Sequence, residues 1–95
     1  MKKQELAKLE NASNILKTVG HPMRIAIIEL LRANRGLTVT EIHESLGILQ
    51  AIASQHLALL KEIEVVGFRR KGRNVRYFIS NKKVYKLIEL AKGFN

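Results

Sequence analysis

Ninety-five residues suffice for one domain with one core. Seventeen Lys and Arg against eight Glu, with no Asp, give a net charge of +9, which favours a polyanionic partner: nucleic acid first, an anionic membrane surface second. The lack of Cys excludes disulfides, thiolate metal sites and thiol redox sensing, and no apolar run approaches the ~20 residues needed to cross a bilayer, so a cytoplasmic protein without membrane insertion is expected.

Residues 4–19 carry Leu6, Leu9, Ile15, Leu16 and Val19 at roughly helical spacing, which predicts a first helix. Gly20 breaks it, and His21-Pro22 opens a second helix over 22–34, with Pro at the favoured first position and His21 capping or packing at the entrance. Gly36 ends that helix, with Arg32 and Arg35 in the last turn, where cations suit the helix dipole. Thr38-Val39-Thr40-Glu41 is a capping box that starts a short helix with Val39, Ile42 and Leu46 inward. Leu46-Gly47-Ile48 is a tight break before a longer helix over 49–62, and two helices around such a turn form the helix-turn-helix pattern.

Residues 65–71 then read as a strand, 72–74 as a turn and 75–80 as a returning strand, because Val75, Tyr77 and Ile79 alternate with Arg76, Phe78 and Ser80. A last helix over 82–92 has Val84, Leu87, Ile88 and Ala91 on one side. The expected fold is mainly α with a small β-hairpin, a winged helix-turn-helix in the order α-α-α-α-β-β-α, in a single domain over 1–95. Within it, 38–62 is the helix-turn-helix and 65–80 the wing.

The charge is unevenly distributed. Residues 48–60 contain no charged side chain, whereas eight Lys or Arg and no acid lie between Glu64 and Glu89. With Ala53, Leu57 and Leu60 inward, the outward residues of the second motif helix are Gln50, Ala51, Ser54, Gln55 and, obliquely, His56. These are the expected base readers: Gln pairs bidentately with adenine, Ser reaches a base edge or a phosphate, and Ala51 is small enough to approach a thymine methyl. Arg69, Arg70, Lys71 and Arg73 at the hairpin tip, with Arg76 and Thr38, are the expected backbone contacts. Lys82, Lys83 and Lys86 fit backbone contact and ordinary surface equally. A polar helix face alone is plain solvated surface, and cations on a hairpin can merely protect a sheet edge. Their adjacency in one motif favours DNA.

His21, His43 and His56 lack the short spacings of zinc ligands, so neither a metal nor a cofactor is expected. No catalytic constellation points to an enzyme, and no Gly-rich loop suits a nucleotide.

From Leu16 to Ile79 the chain resembles the ArsR/SmtB family of bacterial winged-helix repressors. The resemblance lies in His21-Pro22-Met23-Arg24-Ile25, in Leu37-Thr38-Val39-Thr40-Glu41-Ile42, in Ser54-Gln55-His56-Leu57-Ala58-Leu59-Leu60, and in Arg69-Arg70-Lys71-Gly72-Arg73 with Tyr77. It implies a homodimer built on the first and last helices (1–19 and 82–95), with Leu6, Leu9, Leu16, Val84, Leu87, Ile88 and Ala91 at the interface. It also implies two recognition helices on an inverted-repeat operator in double-stranded DNA, and repression released by a signal. Thr38-Val39-Thr40 stands where the family's metal sensors carry Cys-Val-Cys, and Asn81 and Lys83 replace ligands of the last helix. Glu64 replaces a usual Gly after the recognition helix, and Leu49 a small polar cap. The expected function is a sequence-specific dimeric repressor without a metal or thiol sensor and with no effector assigned. The alternatives are a protein-binding winged-helix module and a sequence-independent architectural DNA binder.

Overall fold

Most helix boundaries have a local chemical cause. The computed structural model describes residues 1–95 in the order α1 (Lys3–Val19), α2 (Pro22–Ala33), α3 (Val39–Leu46), α4 (Gln50–Glu62), β1 (Val66–Lys71), β2 (Asn74–Ile79) and α5 (Lys83–Lys92). This is the expected α-α-α-α-β-β-α order. Pro22 opens α2, and His21 Nδ1 accepts the Met23 N–H at 3.1 Å, the capping role expected of it. Thr38 and Glu41 complete the capping box of α3: Thr38 Oγ1 accepts the Glu41 N–H at 3.1 Å, and the Glu41 carboxylate accepts the Thr38 N–H at 2.9 Å. Gly47, at φ 65, closes α3 in the left-handed conformation that costs glycine nothing.

The core is entirely aliphatic. Ile27, Ile28 and Leu31 of α2 meet Ile42 of α3 and Ala53, Leu57 and Leu60 of α4, and Val65, Val66, Val84 and Ile88 close it from the hairpin and α5. Val84 and Ile88 therefore correct an expectation. At 4% and 2% exposure they pack inside their own subunit and are not available to a dimer partner. Helix α5 is further tied to α2 by the ion pairs Arg32–Glu89 at 3.4 Å and Lys92–Glu29 at 3.3 Å. These pairs are largely solvated and add little stability.

Helix α1 is different. Every residue from Lys3 to Asn14 is exposed, and only its last turns reach the core through Ile15 and Val19. Its exposed Leu6, Leu9 and Leu16 form one stripe. On α5, Leu87 is half-buried and Ala91 exposed, and Leu90 (64% exposed) and Phe94 beyond the helix join them on the same side.

The hairpin runs in register from Val66↔Ile79 to Lys71↔Asn74, so its loop is only Gly72-Arg73, one residue shorter than expected. Positive φ at Gly72 alone (63°) is what a type II′ turn requires. Leu37 pairs with the free edge of β2, exchanging N–H···O bonds of 3.1 and 2.7 Å with Tyr77, and so anchors the wing to the α2–α3 connection. Phe78 lies so close over Gly67 that a Cβ there would meet its ring at 3.0 Å.

The two ends of α4 lack such causes. Leu49 occupies the N-cap without a side-chain hydrogen bond, and beyond Ile63 the chain turns through Glu64 at φ 62, its only non-glycine residue with positive φ. A left-handed non-glycine residue costs ~1–2 kcal/mol, while glycine's looser unfolded chain returns ~0.4–1 kcal/mol. The Glu64 carbonyl accepts Ser80 Oγ–H at 2.8 Å, a main-chain bond that glycine keeps. Glu64→Gly is therefore expected to stabilise the fold by roughly 0.5–1 kcal/mol, read as a raised urea midpoint. A lowered midpoint would mean that the Glu64 side chain has a structural role.

Candidate nucleic-acid interface

The helix-turn-helix is held as a unit by short polar links. His43 Nδ1 lies 3.1 Å from the Ile48 carbonyl, pinning the turn to α3, and the N–H groups of Ile52 and Ala53 both return to the Leu49 carbonyl. Those of Gln50 and Ala51 point out of the helix start without a protein partner, as the first donors of a helix do. Ala53, His56, Leu57 and Leu60 form the buried side of α4, while Gln50, Ala51, Ser54 and Gln55 are all exposed. The exposed face continues through Ala58 and is flanked by Leu49 and by Ile52, which the sequence did not single out. Its surface is polar and small in the middle, uncharged throughout, and open to a groove.

His56 does not belong to that face. It is 9% exposed, its Nδ1 accepts the Arg24 Nε–H at 3.1 Å, and its ring lies 4.8 Å from that of His21. Arginine can only donate, so Nδ1 carries no proton and the neutral ring holds its hydrogen on Nε2. Burial, and then the charges of His21 and Arg24, hold the His56 pKa below the ordinary imidazole value. The same guanidinium donates through Nη1 to the Thr18 carbonyl at 3.0 Å, so Arg24 joins the end of α1 to the recognition helix. His56 thus sits on the buried side of α4, bonded to Arg24, and not among the outward residues where the sequence placed it obliquely. The helical period places it between the two faces, and its partner 32 residues away decided the side.

Two expected backbone contacts also have other work. Arg76 Nη1 donates to the Gly36 carbonyl at 2.9 Å and pairs with Glu41 at 3.3 Å, clasping β2 to the start of α3. Both Thr38 donors go to Glu41, the backbone N–H at 2.9 Å and the hydroxyl at 3.1 Å, which leaves none for a phosphate. The two Thr38 hydrogen bonds, and then Arg76, hold the Glu41 carboxyl below the usual carboxylate range. Arg69, Arg70, Lys71 and Arg73 are exposed at the wing tip without a carboxylate partner. Lys61 Nζ sits 4.3 Å from the Phe68 ring centroid, fixing the wing against α4, a contact the sequence did not signal. Lys82, Lys83 and Lys86 are exposed, and Lys82 lies beside the hairpin. No three His or Glu side chains come together as a metal site would require.

A helix-turn-helix domain family matches residues 19–66, from the end of α1 to the first residue of β1. The chain is 38% identical over 88 residues to the transcriptional repressor PagR of Bacillus anthracis, across 93% of this chain and 88% of that protein. NolR of Sinorhizobium fredii superposes with a TM-score of 0.86 at 23% identity, covering 99% of this chain and 93% of that one, a likeness of fold. The homodimeric winged helix-turn-helix DNA-binding domain of Mb0332 from Mycobacterium bovis, a possible ArsR-family transcriptional regulator, superposes with a TM-score of 0.85 at 26% identity, over 99% and 86% of the two chains.

The depressed His56 pKa sets a sign for pH dependence. Its contribution is complete above the unfolded imidazole value of ~6.5 and is lost as pH falls through that value toward the folded one, because the unfolded chain then binds the extra proton. Urea midpoints measured from pH 7.5 down to 5 should fall more steeply in the wild type than in His56→Gln. Equal slopes would remove His56 from the account.

Proposed function

The chain belongs to the ArsR/SmtB family of winged helix-turn-helix transcriptional regulators, and from that premise we propose that it is a homodimeric, sequence-specific binder of double-stranded DNA that represses transcription without a metal or thiol sensor. Membership places it among regulators and not enzymes. The observation that carries the proposal is the separation of charge from shape across one motif. Gln50, Ala51, Ser54 and Gln55 give α4 an uncharged outer face suited to base edges, and the adjoining wing tip supplies Arg69, Arg70, Lys71 and Arg73 for phosphates. The unbonded N–H groups at the start of α4 add a further phosphate contact.

Dimerisation is supported by the condition of α1. An isolated helix of about a dozen residues is marginal in water, yet α1 is exposed from Lys3 to Asn14 and carries the stripe of Leu6, Leu9 and Leu16. Together with Leu87, Leu90, Ala91 and Phe94 from the α5 end, that stripe makes a surface that a second copy covers. In a two-fold dimer the recognition helices would enter successive major grooves about 34–36 Å apart, which calls for an inverted-repeat operator. Without Cys, and with Thr38 and Thr40 in place of thiolates, release from DNA runs through something other than the family's thiol chemistry.

Selection from random duplex DNA is expected to enrich an inverted repeat with half-sites about one helical turn apart. Enrichment of no common sequence would leave an architectural binder, and no binding at low salt a protein-interaction module. Gln55→Ala should cost ~1–3 kcal/mol on the best site and relax one base position, whereas Arg73→Ala should weaken all sequences alike and reduce the salt slope by about one. Uniform effects from both would overturn the base-reading assignment of α4. Leu9→Glu should yield a monomer in sedimentation at micromolar concentration and lose the preference for a repeat over a single half-site. A wild-type monomer at that concentration would sink the dimer outright.

A further inference from the structure

The hairpin has a second face. Strand alternation turns Phe68 and Tyr77 to one side, where Lys61 of α4 caps the Phe68 ring, and Arg69, Arg76 and Phe78 to the other. Mainly on that other side, with Arg70 and Ile79 joining from the first, the hairpin, the end of α2 and the start of α5 enclose a groove of about 920 Å³. Its floor is apolar and partly aromatic, with Leu31, Phe78, Ile79 and Tyr85. Its charged lining is cationic throughout. Arg32 and Arg76 have carboxylate partners outside the groove, in Glu89 and Glu41, but Arg35, Arg69, Arg70, Lys71 and Lys82 pair with none. Like charges gathered around one volume repel each other, and a bound anion relieves this. The guanidiniums also lie against the rings, Arg32 at 4.6 Å from the Tyr85 centroid and Arg69 at 5.4 Å from that of Phe78. Aromatic faces and guanidiniums, that of Arg69 without a carboxylate partner, therefore share one wall.

We propose that this groove binds a small organic anion that joins a planar ring to two or more negative charges, the chemistry of a nucleoside polyphosphate. The volume lies within the ~300–1,000 Å³ of small-ligand pockets. The ring stacks on Tyr85 and Phe78, and the charged groups take bidentate hydrogen bonds from Arg35 and Arg69. Side chains here supply the donors that a Gly-rich loop supplies elsewhere. A duplex read by α4 does not fill this site, because no residue of α4 lines the groove and DNA seated on that helix would leave its rings uncovered. Occupancy would nevertheless draw Arg69, Arg70 and Lys71 away from phosphates at the wing. That coupling, unlike binding itself, rests on the proposed DNA function.

The test is calorimetric titration of the full chain at about 150 mM salt with ATP, inorganic triphosphate and adenosine. ATP should bind saturably, one per subunit, with triphosphate at least tenfold weaker and adenosine undetected. Arg35→Ala, at an exposed position beyond α2, and Tyr85→Leu should each weaken ATP about tenfold, while Tyr85→Phe should not. No ATP binding, equal binding of ATP and triphosphate, or indifference to Arg35→Ala and Tyr85→Leu would each overturn the site. On the selected operator, ATP should raise the apparent Kd of the wild type and leave that of Arg35→Ala unchanged. If Arg35→Ala instead weakens DNA and leaves ATP unaffected, the groove belongs to the duplex track and the inference fails. Ring-dependent ATP binding by a chain that binds no DNA would sustain the groove and defeat the DNA function.

Discussion

A guanidinium can donate hydrogen bonds but never accept one or lose its charge. Arg24 places such a group, half buried, where α1, α2 and α4 meet, and its neighbours must answer it with acceptors. The Thr18 carbonyl ends α1 in the right place to provide one. The other comes from the middle of the recognition helix, and His56 can provide it only while neutral. The inner face of α4 is otherwise Ala53, Leu57 and Leu60, almost wholly buried in the core, whose packing turns the opposite face outward. The Arg24–His56 bond adds a directional restraint to that packing. It is made only while His56 Nδ1 carries no proton.

The same economy of charge explains the wing. A small aliphatic core gives modest stability, so a net charge of +9 is tolerable only where cations are spread or stacked on apolar rings. The recognition helix carries no cation on its outer face, and the hairpin carries nearly all the local ones. Arg76 is the exception that holds the hairpin in place: its bonds to Gly36 and Glu41, with the Leu37–Tyr77 bridge, attach β2 to the start of α3. The wing and the helix-turn-helix are thus positioned by one another.

Much of this was legible in the sequence because local chemistry wrote it. The capping box at Thr38, the Gly47 turn, the Pro22 start and the period-two hairpin all announce themselves within a few residues. The order of elements and the exposed polar face of α4 followed from them. What was not legible depends on residues far apart in the chain. His56 lies between two helix faces, and Arg24 settles its side. Val84 and Ile88 sit on the same apolar arc as Leu87, so the period could not tell core from dimer surface; α2 and the hairpin did. Leu37 is a single paired residue, too short for any pattern. Arg76 looks like its neighbours in a run of cations, and only the fold brings Glu41 within 3.3 Å of it.

The two places where the chain departs from good local chemistry lie at the two ends of α4. Leu49 leaves the helix start uncapped, and Glu64 holds a left-handed conformation that glycine would adopt freely. A polar cap is worth ~1 kcal/mol and relief at Glu64 a similar amount, so neither departure is trivial in a small domain. Local rules broken without an evident gain in packing tend to gather at functional sites. Here they mean that neither end of α4 is fixed by its own cap, and Arg24 and the core hold its middle. The start of the helix keeps unbonded N–H groups facing outward, and its far end passes into the hairpin through one strained residue. A helix so mounted keeps its central hydrogen bond to Arg24 while neither of its ends is fixed by a side-chain cap.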